Sequence, residues 1–327
     1  MSPVPPGGRR ARVLIASGPV SDISPRQVAI ALAEGFADQA DVAVIGLAEG
    51  GPALAHALTD PDGEVEVLRG GRVGRATDLL VVGATPEPPL DPLAGSSAGL
   101  GRLLAYALQS GVPGRVVIDL TDSDSHDAGQ GLLSELADVR AQIRDCEVIG
   151  VVPGGQERDH LLGLRGVTSR RGRALGVPAE RMLAVDAALE SFALGEAPQH
   201  ARAEGAGAAG GLGFAVLALG GRLTTGAALC AEEARLDRTL GSADLVVTGC
   251  DSFDFGSRGG DVVTELARRC ESFEVPLVVV SPVVDISGRE MRTLGVESGH
   301  PVDLGSDPRE GLTRTARRIA QGWFVRW

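Results

Sequence analysis

The sequence predicts an α/β protein with a mainly parallel sheet, and three observations carry that prediction. Short, continuous apolar runs recur along the chain, the pattern of strands buried on both faces. Helical patterns with a single apolar stripe separate them. The 327 residues, 43% of them hydrophobic, allow two domains of ~150 residues, each with its own core.

The opening reads as a β–α–β unit. Val13-Leu14-Ile15-Ala16 is the first strand. Ser24 suits a helix N-cap, Pro25 the first helical position, and Gln27 completes a capping box. Val28, Leu32 and Phe36 follow at i, i+4 and i+8 as one buried stripe, and residues 41–46 are the second strand. The alternation then repeats: strands over 78–83, 115–120 and 147–152, and helices over 97–109 and 179–193. Near the C-terminus, strands over 244–248 and 276–280 flank a helix over 261–270. A last helix, 308–321, is capped by Asp307 with Pro308 at its first position. The runs at 13–16, 42–45, 245–247 and 277–280 are expected in one parallel sheet with right-handed crossovers. Residues 85–92, rich in proline, and 199–213, rich in alanine and glycine, read as connectors.

Composition excludes several function classes. A net charge of −12 argues against general nucleic-acid binding or a polybasic membrane surface. Aromatic content of 3% disfavours base-stacking platforms. No apolar run approaches the ~20 residues of a membrane span, and the opening lacks the ~7–15-residue apolar core of a signal peptide. Cys146, Cys230, Cys250 and Cys270 show no CxxC spacing and suit a reducing cytoplasm. The chain contains no lysine, so a P-loop NTPase, a protein kinase of the standard type and a Schiff-base enzyme are all excluded.

Three stretches carry candidate chemistry. Gly205 to Gly213 contains GxGxxG, but residues 200–204 make no convincing strand before it, so a dinucleotide fold is disfavoured. Its glycines either let backbone N–H groups cradle an anion at a helix start or allow tight helix–sheet packing. Thr121 to Gly131 follows a strand end, where ligands of open α/β sheets collect. Its acids, hydroxyls and His126 either bind Mg²⁺ and activate a hydroxyl or form an ordinary capping loop. In Thr248 to Gly260, Asp251 and Asp254 can hold a cation or orient a hydroxyl, and Cys250 reads as a small buried hydrophobe.

Taken in order, these motifs resemble the bacterial two-domain glycerate kinase family. Residues 12–36 resemble its strand, polar loop and Ser-capped helix; Ala48-Glu49-Gly50-Gly51 its ADGGEGT-type loop; and residues 97–103 its SRGTGEL-type helix start. Thr121 to Gly131 is similar to its GGSATNDGGxG loop, sharing Ser123, Asp127, Gly129 and Gly131. Glu204 to Gly213 nearly reproduces PGAGAAGGMG. Residues 245–261 are similar to LVITGEGRIDxxSxxGK, sharing Thr248, Gly249, Asp254, Ser257 and Gly260.

The resemblance implies a flavodoxin-like parallel-sheet domain built from both chain ends, with a smaller inserted second domain. The expected division is 8–64 and 205–327, with 95–128 a further candidate, against 65–204. It implies ATP-dependent phosphorylation of glycerate or a similar small hydroxy acid, with Mg²⁺ as cofactor and a cytoplasmic location. Asp127 and Asp254 then become the catalytic and metal-holding acids. Ser123, Ser125, Gly207, Gly210, Gly211 and Gly249 become nucleotide contacts, with Gly207, Gly210 and Gly211 as the anion cradle. Arg165, at the lysine position of FGPQKG, and Ser257 become substrate contacts. Departures favour an alternative, an inactive homologue that binds a ligand or regulates. Residues 17–21 lack the family's aspartate and lysine, and Ala98 replaces an arginine. Asp122 and Asp124 replace glycine and alanine, Cys250-Asp251-Ser252 replaces Glu-Gly-Arg, and Asp261 replaces a lysine. Arg222 and Arg258 are candidate compensating cations.

Overall fold

A computed structural model describes residues 9–59, 63–85, 87 and 89–324. Residues 1–8, and Pro86 and Pro88 of the proline-rich connector, lie outside the described residues. In chain order the elements begin with β1 (Ala11–Ser17), α1 (Pro25–Phe36) and β2 (Ala40–Gly46). Next come α2 (Gly51–Thr59), β3 (Glu64–Leu68), β4 (Gly71–Ala76), β5 (Leu79–Ala84), α3 (Ala98–Leu108), β6 (Arg115–Asp119), α4 (Gln130–Glu135), α5 (Arg140–Ile143) and β7 (Glu147–Val151). They continue with α6 (Val167–Ala174), α7 (Ala179–Glu196), α8 (Ala208–Ala218), β8 (Arg222–Thr224), α9 (Gly226–Glu233) and α10 (Leu236–Leu240). The last are β9 (Leu245–Gly249), β10 (Ser252–Asp254), α11 (Gly260–Phe273), β11 (Leu277–Ser281), β12 (Val283–Asp285), α12 (Gly288–Thr293), β13 (Ser298–Pro301) and α13 (Pro308–Phe324).

The chain divides into two units: a discontinuous one, up to Ala48 and from Cys230 onward, and an inserted one, Glu49–Leu229. The discontinuous unit holds a five-stranded sheet in the order β13-β11-β9-β1-β2, every pair parallel. Ile15 stands beside Val44 on one side and Val247 on the other, so the expected runs do share one sheet. The α1 stripe of Val28, Leu32 and Phe36 is fully buried against it. Gln27 accepts hydrogen bonds from the backbone N–H (3.4 Å) and hydroxyl (3.1 Å) of Ser24, and Asp307 accepts from the Glu310 N–H (3.1 Å) at the start of α13. Gly35 lets α1 and α13 touch, since a Cβ there would lie 2.5 Å from that of Ala316.

The inserted unit holds a six-stranded sheet, β3-β4-β5-β6-β7-β8. Its β5–β8 part is parallel; β3, β4 and β5 pair antiparallel. This unit is the longer of the two and begins and ends at other positions than the motifs imply. Residues 51–59 belong to it because α2 lies on β4: a Cβ at Gly74 would lie 3.4 Å from that of Ala55. Residues 205–229 belong to it because β8 pairs with β7 and α8 shares the core of β6 and β7. Residues 95–128 are in the inserted unit as well. Among the described residues no helix is long and apolar enough to cross a membrane.

Candidate functional site

The inserted unit carries a cavity of about 370 Å³ beyond the carboxyl ends of the parallel strands β6 and β7, where open α/β sheets collect ligands. Leu120 and Thr121 follow β6 and Pro153 follows β7; Ser123, Gln156, Arg170, Arg171 and Gly210 complete the polar lining. Two stretches singled out in the sequence, 121–131 and 207–213, meet here. Their contact is backbone on backbone: a Cβ at Gly210 would lie 1.7 Å from the Ser125 carbonyl oxygen, and one at Gly211 2.8 Å from Ala128 Cα. Ala209, Gly210 and Gly211 take φ of 49°, 71° and 99°, so α8 opens with a left-handed turn that only small residues fit.

That geometry decides between the two roles open for the glycines. Gly207 gives its N–H to the Asp159 carbonyl (2.9 Å) and abuts His160, so it is a packing residue and not an anion donor. Gly211 packs on Ala128; of the three, Gly210 alone lines the cavity. Ser123 also lines it, and donates its hydroxyl to Ser125 Oγ (2.9 Å), while buried Ser125 donates to Ala209 O at 3.4 Å.

The cations of this cavity come from α6, from residues the motif reading passed over. Arg170 grips Asp159 with both Nη atoms, Nη1 lying 2.5 Å from Oδ1, so its charge is balanced. Arg171 has neutral acceptors: its Nη1 donates to Ser125 O (3.0 Å) and Pro92 O (3.3 Å) and lies 3.5 Å from His126 Nδ1. The positive charge offered to a ligand is therefore that of Arg171. Gln156 accepts the Ala209 N–H through Oε1 (2.9 Å), which leaves its amide hydrogens for a ligand.

His126 is 2% exposed and lies 3.0 Å from Thr168 Oγ1. Burial, then the neighbouring Arg171 guanidinium, pulls its pKa from 6.5 down to about 4. The folded state thus favours the neutral ring, while the unfolded state takes up a proton below 6.5. Stability is expected to be fully present above pH ~6.5 and to fall by about 3 kcal/mol as pH drops to about 4. Thermal melts between pH 4 and 7 check this: His126→Gln should flatten the acid side of the profile.

Asp127 does not read as a free acid. Its Oδ2 accepts from the Ser97 N–H (2.8 Å), the Ser97 hydroxyl (2.9 Å) and the Gly131 N–H (3.2 Å), and its Oδ1 from the Gly129 N–H (2.9 Å). It clamps the starts of α3 and α4 together. A second cavity, about 890 Å³, is lined by part of the same loop, Asp122, Ser123 and Asp124, together with Arg69, Ser96, Ser97 and Tyr106. Asp124 takes no protein donor among the described residues. Asp122 is engaged: Arg72, buried in β4, reaches Asp122 Oδ2 at 3.0 Å and Asp119 Oδ2 at 2.6 Å.

The remaining sequence candidates lie elsewhere. Arg165 is exposed and lines neither cavity. Gly249, Asp254 and Ser257 belong to the discontinuous unit. Gly249 gives its N–H to Ser17 Oγ (3.0 Å), so that donor is not available to a nucleotide. Asp254 closes its own turn, accepting from Ser252 Oγ (2.5 Å), Gly256 N (2.7 Å) and Ser257 N (2.8 Å). The Ser252 hydroxyl first, then the Ser257 N–H, hold its carboxyl below the usual range. Ser257 donates its hydroxyl to Ser252 O (2.8 Å) within that turn. Among the described residues no group of three or more His, Cys, Asp or Glu is set to hold a metal ion. Arg222 pairs with Glu147 and lines neither cavity; Arg258 lies over the Phe255 ring, 6.0 Å from its centroid.

The model of the glycerate kinase family matches residues 156–321, a span that starts at Gln156 and takes in α6, α8 and the 248–260 loop. The chain belongs to the glycerate kinase family. Glycerate kinase of Bacillus subtilis is 24% identical over 322 residues, covering 84% of this chain and 83% of its own; glycerate 2-kinase of Escherichia coli is 26% identical over 247 residues, 67% and 63%. An uncharacterized protein of Mycobacterium tuberculosis is 32% identical over 226 residues, 68% of this chain. The chain spans 59% of that mycobacterial relative's length. The fold matches a crystal structure assigned as glycerate kinase 2 of Salmonella typhimurium LT2, with a TM-score of 0.78 at 21% identity over 97% of this chain and 99% of that one. The α/β fold thus matches that of the Salmonella structure. Two acids read from the family pattern are held here by protein donors: Asp127 by Ser97, Gly129 and Gly131, and Asp254 by residues of its own turn.

Proposed function

We propose that this chain is a cytoplasmic ATP-dependent phosphotransferase acting on a small hydroxy acid of the glycerate type. The observation that carries this reading is the 370 Å³ cavity lined by Arg171, Gln156, Thr121 and Ser123 beside Gly210. One net positive charge flanked by neutral hydrogen-bonding groups matches one carboxylate with adjacent hydroxyls, since guanidinium–carboxylate pairing is strong and directional. Binding there would orient the acid through its carboxylate and leave a hydroxyl toward the 121–125 loop, an ordering that lowers the entropic part of the barrier.

Mg²⁺ bound with nucleotide phosphates needs only one or two protein carboxylates, and Asp124 in the larger cavity fits that requirement. Mg²⁺ there would supply charge neutralisation for the phosphates, which compensates in part for the missing lysines.

Incubation with Mg-ATP and D-glycerate, with related hydroxy acids in parallel and ADP release as the readout, tests the reading. Turnover with a hydroxy acid is expected. Arg171→Met is expected to lower kcat/KM by at least ~10² through KM, as loss of a charge-assisted contact to a ground-state anion does. Absence of turnover with every acid tried, in protein that melts cooperatively, would exclude the reading.

A further inference from the structure

The buried Arg72 of β4 touches no part of the arginine-lined cavity, yet the loop that lines it is tied to this one side chain. Its Nη2 lies 2.6 Å from Asp119 Oδ2 and 3.0 Å from Asp122 Oδ2, and Nη1 lies 3.5 Å from Ala84 O. Gly83 leaves the space for it: a Cβ there would lie 2.9 Å from Nη2. The other oxygen of Asp119 accepts from Thr121 Oγ1 (2.7 Å) and Thr121 N (3.1 Å), and Thr121 Oγ1 accepts from the Gly51 N–H (3.1 Å). The Ser123 N–H closes the turn on Leu120 O at 3.2 Å. Two carboxylates thus meet one guanidinium, at the root of a loop whose Thr121 lines the smaller cavity, whose Asp122 lines the larger and whose Ser123 lines both.

We propose that Arg72 is a positioning residue of the ligand loop, holding Asp119 and Asp122 so that Thr121 and Ser123 keep their place in the wall of the smaller cavity and the charge of Asp122 is turned to the guanidinium. This rests on reading the smaller cavity as an anion site. Arginine suits the task because its fork is rigid and stays charged when buried, where a lysine ammonium is readily neutralised. It also explains Asp122, an acid in a loop whose cavities are meant for anions: its charge is directed at Arg72. Without the guanidinium, Asp119 and Asp122 repel each other, the loop loses its root, and negative charge is freed beside the site.

Hydrogen–deuterium exchange and phosphate titration calorimetry on the full chain test this in wild type, Arg72→Lys, Arg72→Met and Arg72→Met/Asp122→Asn. In Arg72→Met, amide protection over 119–126 is expected to fall at least tenfold while β7 keeps its protection, and affinity for inorganic phosphate to fall at least fivefold. Arg72→Lys should lie between, and keeps the test open if the methionine variant does not fold. The double variant should regain part of the phosphate affinity, because the freed charge is removed. Protection lost evenly over the whole unit, or unchanged at 119–126, would overturn the proposal by making Arg72 an ordinary core residue. Wild type that binds no phosphate would overturn the anion-site reading instead, with the exchange pattern still deciding the role of Arg72.

Discussion

Gly210→Ala is expected to be among the most damaging single-methyl changes in this chain. The added Cβ would lie 1.7 Å from the Ser125 carbonyl, and the residue sits at φ 71° between Ala209 and Gly211, both also at positive φ. Alanine costs ~1–2 kcal/mol in the left-handed region. Displacing the Ser125 backbone adds overpacking strain of ~1–3 kcal/mol. The sum, about 2–5 kcal/mol, corresponds to a fall of roughly 5–15 °C in the melting temperature of a unit this size. Calorimetric melting checks it. Because Ser125 O is also an acceptor for Arg171, the variant should lose hydroxy-acid affinity in the part that stays folded. Gly210→Ala that melts within 2 °C of wild type would mean that the 125–128 backbone yields easily and that its contact with Gly210 is not rigid.

Asp127→Ala is expected to cost about 3–5 kcal/mol, because four donors at the starts of α3 and α4 lose their acceptor and Ser97, at 3% exposure, has little water to replace it. Asp127→Asn keeps one acceptor oxygen and should recover more than half of that loss. Activity should follow stability across the pair: the asparagine variant retains most of its turnover at temperatures where it is folded. A metal ligand or general base would behave in the opposite way, with stability nearly unchanged and turnover reduced by ~10² or more in both variants. Melting curves and ADP-release rates on the same preparations separate the two roles.

The parts of the fold legible in the sequence are those set by local pattern. The apolar runs that became β1, β9 and β11 are buried on both faces, so their hydrophobicity is continuous and readable. Ser24, Asp307 and the α1 stripe are likewise local signals. The hairpin of β3 and β4 was not legible, because Glu64-Val-Glu and Gly-Arg-Val-Gly-Arg alternate charge and glycine as surface segments do. Arg72 is buried there only because Asp119 and Asp122 arrive from 47 and 50 residues away. Arg170 and Arg171 look like a solvated pair in the sequence; the fold aims one at Asp159 and the other at carbonyl groups. The motifs point to the loops at 121–131, 205–213 and 248–260, and imply a catalytic, metal-holding role for Asp127 and nucleotide contacts for Gly207 and Gly249. Their donors and acceptors meet protein partners instead, which depends on tertiary neighbours that no spacing rule encodes.

The position of β1 between β2 and β9 has a consequence for how the protein is made. Arg12 donates its N–H to the Asp244 carboxylate, a partner 232 residues further along the chain. During synthesis at ~5–20 residues per second, the β1–α1–β2 segment emerges about 10–40 s before β9 can pair with it. The intervening 49–229 stretch is contiguous and has its own cores, so it can fold on the ribosome while that segment waits. The waiting segment carries Val13, Leu14 and Ile15 on an unpaired strand edge, the kind of surface that strand-on-strand association and chaperones both recognise. The order of translation thus places the chief aggregation hazard of this chain in its first fifty residues, although the finished sheet buries them completely at that strand.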